Sequence, residues 1–287
     1  MSWRVVEITT RAKLDLKMNY LVVRKEEVTK IHLSEISTLI IESTAVSVTA
    51  ALLVELAKRK IKVIFCDEKR NPLFENVSYY GCHDTSLKIK LQIQWDENIK
   101  GFIWTEIVRE KINNQKKFLI EIGKAEYELL DKYINNLEFK DASNREGHAA
   151  KVYFNALFGK DFSRSQDNVI NACLDYGYGI ILSSFNREIT ASGYLTQLGL
   201  FHDNRFNMFN FGSDLMEPFR ILVDRLVYFM NPNKFDTNEK IRLVNLLNSE
   251  VTIDGKRQYL NNAIRIYCKS IFDALNEKDV SLMRFYI

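Results

Sequence analysis

The sequence predicts an α+β protein, with a small β-rich N-terminal domain followed by a larger all-α domain. Three observations carry this expectation. Alternating apolar and polar residues dominate the first 45 positions, and strand signals nearly vanish beyond residue 80. Only three prolines occur in 287 residues (Pro72, Pro218 and Pro232), which leaves long helices uninterrupted.

The elements follow in order. WRVVEI, LDL, YLVV, KIHL and TLII, separated by charged or polar turns, read as strands of an antiparallel sheet with one buried face. Their Val, Ile, Leu and Tyr content suits strands. A helix is expected from Ser47 to Lys60, with Ser47 as N-cap. Leu52, Leu53, Leu56 and Ala57 fall at helical spacing, and Lys58, Arg59 and Lys60 complement the last turn. KVIFCD reads as a buried strand and PLFENV as another. YYGCHDTS, with Gly81, is turn-rich. The expected division is therefore a domain over residues 1–78, a linker over 79–88 and a helical domain over 89–287. Residues 87–122 read as one or two amphipathic helices and AEYELLDKYINNLEF as another. From Glu146 onward the chain reads as successive helices, with no internal repeat.

Composition narrows the function classes. Hydrophobic residues make up 46% and charged residues 27%, ordinary for a soluble globular chain with a sizeable core. The four cysteines (Cys66, Cys82, Cys173 and Cys268) form no CxxC pair, so free thiols in a reducing cytoplasm are expected rather than a zinc or redox motif. The start MSWRVVEITTRAKLDL lacks the apolar core of a signal peptide, and runs such as AALLVELA are too short to span a bilayer. A cytoplasmic protein without a membrane partner is expected. Residues 1–80 hold 13 basic and 10 acidic side chains, and the remainder 27 of each, giving the net +3. Global charge therefore does not announce nucleic-acid binding. Any such surface must come from local placement of Arg and Lys.

Three segments carry candidate chemistry. In GSDLMEPFRILVDRLVY (212–228), Ser213 is a candidate cap, and Asp214 and Glu217 share one helical face, which Arg220 extends. Leu215, Phe219, Leu222 and Val223 form the apolar side, and Pro218 suits a first turn. Paired carboxylates suit a hard cation. They equally suit a helix dipole, with Arg220 and Asp224 as an i,i+4 pair. In GYLTQLGLFHDN (193–204) the apolar stretch between Gly193 and Gly199 ends near His202, a lone imidazole that is either ligand or plain structure. In REGHAAKVYFNALFG (145–159), Glu146 lies near a helix start, where an acid again complements the dipole. Spacing alone does not unite them. It leaves a mostly helical protein with one His and several carboxylates that could converge on a metal.

Taken together and in this order, these segments resemble the large subunit of the CRISPR adaptation machinery, the metal-dependent spacer integrase. DLMEPFR is the most specific string. EGHAAKVYF, NACLDYGYG and LGLFH support it, and the opening WRVVEITTRAKLDLKMNYLVV is similar to the branch accompanying single-protein effectors (type II). The turn Gly193-Tyr-Leu-Thr departs from the Gly-Leu-x-Pro of many members, while the histidine is kept.

The resemblance implies that Glu146, His202 and Glu217 hold catalytic Mg²⁺ or Mn²⁺, with Asp214 as an accompanying catalytic acid. Carboxylates suit Mg²⁺, and one imidazole makes Mn²⁺ well tolerated. It also implies a β-rich domain for dimerisation and partner contacts, a symmetric homodimer, and assembly with a small ferredoxin-like partner. A DNA-end-binding ring protein and the effector nuclease are further expected partners, and double-stranded DNA (captured fragment and CRISPR repeat) the substrate. Arg145, Lys151, Arg220 and Arg225 are the candidate phosphate contacts. Tyr153, Tyr176 and Tyr178 read as core residues, with base stacking as the alternative. Two other functions stay open. One is an HD-type phosphohydrolase using His202-Asp203 with His148 upstream. The other is a non-catalytic DNA-binding scaffold.

Overall fold

The computed structural model describes residues 4–68, 70–76 and 82–286. Its N-terminal part is β-rich and its remainder mainly helical, the α+β class that the patterning predicts. The strands expected in one antiparallel sheet instead divide between two. Strands β1 (Arg4–Ile8), β5 (Ile36–Ile41), β7 (Lys62–Cys66) and β8 (Pro72–Glu75) form one sheet. Strands β4 (Val28–His32), β3 (Tyr20–Arg24), β2 (Ala12–Lys17) and β6 (Val46–Val48) form the other, each set in that spatial order. The pairs β1–β5, β5–β7 and β2–β6 are parallel, while β2–β3, β3–β4 and β7–β8 are antiparallel.

The period of two along a strand explains the division. In β5 and β7, Leu39, Ile41 and Val63 join a core with Leu14, Leu21, Leu52 and Leu56. Their neighbours Ile40, Ile64 and Cys66 join the helical core. Both faces of this sheet are thus covered, and every residue of β5 is buried. Helix α1 (Ala50–Lys58) closes the first core. Its cap is Thr49, whose side chain accepts from the Leu52 N–H, and not Ser47, which lies in β6.

Helix α2 (Thr85–Ile93) begins inside the stretch expected to be linker, of which residues 79–81 lie outside the described residues. Helix α3 (Glu97–Glu121) follows after a break capped by Asp96, which accepts from Asn98 and Ile99 N–H groups at 2.9 and 3.1 Å. Helices α4 (Tyr127–Asn135) and α5 (Arg145–Phe158) pack against it, and α6 (Val169–Ala191) shares the same core. The expected single helix over 212–228 is broken. Helix α7 (Asn210–Leu215) ends, Glu217–Phe219 forms a 3-10 turn, and α8 runs over Arg220–Met230. Ser213 lies within α7 and does not cap it. Pro218 accounts for the break, because a ring without an N–H cannot continue the bonding ladder. After α9 (Thr237–Asn245), strands β9 (Glu250–Ile253) and β10 (Lys256–Tyr259) form a hairpin before α10 (Leu260–Glu277), so the region beyond residue 88 is not entirely helical. Asp254 and Gly255 turn it with φ of 52° and 70°, the D-G chemistry of a two-residue hairpin. Among the described residues, no helix is long and apolar enough to cross a membrane.

Candidate metal centre

The centre is assembled from three places in the chain around the buried helix α3. Glu146 stands in the first turn of α5. Buried Asp141 fixes that turn by accepting from the Arg145 N–H at 2.6 Å and the Glu146 N–H at 3.0 Å. Asn144 accepts from the Gly147 N–H at 3.3 Å. Three donors that no helical carbonyl can reach are thereby satisfied. Glu217 comes from the 3-10 turn that Pro218 enforces. Glu217 is 4% exposed, and its carboxylate accepts from Arg220 Nη2 at 2.9 Å on one oxygen and Lys111 Nζ at 2.5 Å on the other. The same Lys111 ammonium donates to Glu146. Burial alone would raise the Glu217 pKa, but Arg220 and Lys111 outweigh it and hold the carboxyl below its ordinary value. Burial likewise disfavours the charged form of Lys111, yet Glu217 and Glu146 raise its pKa, so Lys111 and Glu217 are both ionised at neutral pH.

His202 is held from behind. The Asp214 carboxylate, fully buried, accepts from the N–H groups of Leu200, Phe201 and His202 at 2.5, 3.1 and 3.1 Å, and bonds the His202 ring through Nδ1 at 2.5 Å. Gly199 makes this possible. A Cβ there would meet the His202 carbonyl oxygen at 2.4 Å and Asp214 Oδ2 at 2.7 Å. The departing turn is closed by Thr196, whose hydroxyl donates to the Met208 carbonyl at 2.8 Å. Phe201 stacks on Trp104 of α3 at 4.6 Å, and that indole meets the His202 ring edge-on at 5.7 Å. The hydrogen bond to Asp214, joined by the charges of Asp214 and Glu217, raises the His202 pKa. With Nδ1 engaged, Nε2 is the nitrogen left to act as a ligand.

Glu146 and Glu217 thus share one cation, and His202 lies within electrostatic reach of Glu217. The three are not drawn into one tight cluster. Among the described residues, only Cys82, His83 and Asp84 have candidate ligand atoms all within 4.8 Å of one another, and there the Cys82 thiol donates to Asp84 at 2.7 Å. Two carboxylates and an imidazole, two of them already gathered on a cation, nevertheless fit a divalent metal. Asp214 spends both oxygens on the histidine loop and so acts on His202.

The basic candidates separate. Arg220 sits at Glu217 with its guanidinium 5.0 Å from the Tyr178 ring. Arg145 lies beside Glu146 and over Tyr133, and Lys151 is exposed on α5. Arg225 is paired with Glu121, one contact being 2.9 Å. The expected Arg220–Asp224 surface pair gives way to another arrangement: Asp224 is buried and accepts from Tyr178. Tyr153, Tyr176 and Tyr178 are core residues. Asp203 and His148 are exposed, and His148 packs near Tyr133 of α4.

Sequence reasoning missed Lys111, Asp141 and Trp104. Lys111 had a readable signal, since it falls on the stripe Trp104, Ile107, Val108, Gln115 of a helix otherwise buried there, where a cation needs a partner.

The family model described as CRISPR associated protein Cas1 matches residues 6–262. The chain is 36% identical over 232 residues to a CRISPR-associated endonuclease Cas1 of Neisseria meningitidis serogroup C (strain 8013), covering 79% of this chain and 75% of the relative. Among solved structures, a CAS1 protein of Thermotoga maritima superposes with a TM-score of 0.75 at 15% identity, over 95% of this chain and 97% of the other. A casposase bound to integration product gives 0.76 at 18%, over 98% and 92%. A chain of a Cas6-RT-Cas1–Cas2 complex gives 0.76 at 19%, over 98% of this chain and 36% of that longer one. These structural likenesses establish the shared fold.

Proposed function

The chain belongs to the CRISPR-associated Cas1 family, and from that premise we propose that it inserts captured DNA fragments into a CRISPR repeat array, with Glu146, His202 and Glu217 as ligands of a catalytic Mg²⁺ or Mn²⁺. Family membership supplies the activity class, an endonuclease and integrase of spacer acquisition. The observation that carries the ligand assignment is the convergence of Glu146 and Glu217 on the single Lys111 ammonium, beside a histidine oriented by Asp214.

The reaction is a transesterification. The fragment's 3′-oxygen forms a bond to a repeat phosphorus, the existing P–O3′ bond breaks, and the attacking hydroxyl's proton is lost as the departing oxygen gains one. A bound divalent ion supplies charge neutralisation and hydroxyl activation. The protein's part is to position. Asp141 fixes the turn that presents Glu146, Asp214 fixes the ring of His202, and Pro218 turns Glu217 inward. Arg220 is already held at Glu217 and, with Arg145 and Lys151, offers positive charge to phosphates. Arg225 joins them only by releasing Glu121.

The working assembly includes a Cas adaptation partner, as the neighbouring Cas1–Cas2 complexes suggest, and the same reading makes this chain a homodimer. The finer reading adds that the partner is a small ferredoxin-like protein, that residues 1–78 serve dimerisation and partner contacts, that residues 89–287 are catalytic, and that the complex works in the cytoplasm. A ring protein and effector nuclease of a type II-like system complete it. The HD-phosphohydrolase reading has less support, because the partner of His202 is Asp214, while Asp203 and His148 are exposed. A scaffold without catalysis is separated by metal titration.

The test incubates protein and small partner with a short duplex bearing 3′-hydroxyls and a supercoiled repeat plasmid. Joined product is expected with Mg²⁺ or Mn²⁺ and lost in Glu146→Ala, His202→Ala and Glu217→Ala. A folded variant among these that joins at the wild-type rate would remove that residue from the ligand set.

A further inference from the structure

Lys111 is a feature of the centre that a ligand set does not require. Its Nζ, 7% exposed at the residue level, donates to both Glu146 and Glu217, the latter at 2.5 Å. These two oxygens face inward onto the one ammonium, while Glu217 gives its remaining oxygen to Arg220 at 2.9 Å. A metal held by Glu146 and Glu217 through these inward oxygens cannot share them with an ammonium. Two further facts bear on how the conflict resolves. The anchor is rigid, because Lys111 lies within the 25-residue helix α3. The side chain is not, because a lysine carries its compact charge on a flexible four-carbon stem.

We propose that Lys111 is a built-in placeholder for the metal. It neutralises Glu146 and Glu217 until a divalent cation binds and then swings out. Two carboxylates brought together without a cation repel each other and would be driven apart. With Lys111 bonded to both, the two carboxylates keep their positions, so the metal meets a site already arranged. Arg220 remains on the outer oxygen of Glu217 throughout. The cost of this arrangement is affinity, because each metal ion must first break the ammonium's bonds.

This inference rests on Glu146 and Glu217 being metal ligands, and the test separates the two claims. Mn²⁺ binding is titrated calorimetrically, and melting followed with and without Mn²⁺, for wild type, Lys111→Met, Lys111→Arg and Glu217→Gln. Lys111→Met is expected to melt lower than wild type without metal, to bind Mn²⁺ at least about tenfold more tightly and to gain more from it in melting temperature. Should it fold only when Mn²⁺ is added, that also supports the placeholder. Lys111→Arg, whose planar fork can grip both carboxylates, is expected to melt no lower than wild type and to bind Mn²⁺ at least about tenfold more weakly. Wild-type Mn²⁺ affinity in Lys111→Arg, or unchanged or weaker affinity in a folded Lys111→Met, overturns the placeholder. Loss of binding in Glu217→Gln keeps the ligand reading standing in that case. Full binding in Glu217→Gln overturns both.

Discussion

Asp214 holds His202 at two points, accepting from its backbone N–H at 3.1 Å and bonding its ring Nδ1 at 2.5 Å. A carboxylate that fixes both the backbone and the ring of one residue leaves that residue a single orientation. Asp214→Ala is therefore expected to weaken Mn²⁺ affinity or joining by about 10–100-fold, the range for losing the partner of a ligating histidine. Calorimetric titration alongside the integration assay measures it. An unchanged affinity and rate would mean that the ring needs no such support.

Gly199 is the steric counterpart of that arrangement. Gly199→Ala drives a methyl into the His202 carbonyl and Asp214 Oδ2. The loop must shift, so metal affinity is expected to fall by about tenfold or more. The helical core should melt nearly as in wild type. Comparing the melting curve with the titration distinguishes a local shift from general unfolding.

Asp141 fixes the backbone at Glu146, as Asp214 fixes the backbone at His202. Asp141→Ala removes the acceptor of two N–H groups at the start of α5. A loss of about 1–2 kcal/mol in unfolding free energy is expected, the usual cost of a cap, together with weaker metal binding. Urea unfolding at fixed pH reads the first and titration the second.

Asp224 makes stability pH-dependent. Burial pushes its pKa up to about 6, against the lowering effects of the Tyr178 hydrogen bond, the nearby Tyr153 hydroxyl and the charge of Arg220. The folded protein then holds a proton that the unfolded chain releases at lower pH. Stability from this group is fully present below the ordinary aspartate value of 3.8 and is lost as pH rises through about 6. The total is at most about 3 kcal/mol, from a shift of roughly two units. Asp224→Asn should lack this loss, so its stability relative to wild type should rise between pH 4 and pH 7. A constant difference across that range would contradict the burial effect.

Much of the fold was legible because local rules sufficed. The strands from Arg4 to Ile41, helix α4 and helix α5 lie where periodicity places them. The Asp254-Gly255 hairpin carries the turn residues of a two-residue loop, set within a mainly helical stretch. The split into two sheets was not readable. β5 is apolar on both faces, and no local pattern says which core each face meets. The helix across Pro218 failed for a different reason. Its apolar spacing continues through a residue whose missing N–H ends the ladder.

For the centre, the sequence by itself determined which side chains were available, namely Glu146, His202, Glu217 and Asp214, and through their joint order, the family. It also determined that Glu146 opens a helix and that Pro218 follows Glu217. Only the tertiary structure decided that Lys111 joins the two glutamates and that Asp214 turns toward the histidine loop. The reason is physical. A carboxylate at a helix start is equally satisfied by the dipole, by water or by a cation, and local sequence gives each nearly the same energy. Burial around α3 removes the water, and whichever charge then stands within hydrogen-bonding distance settles the role.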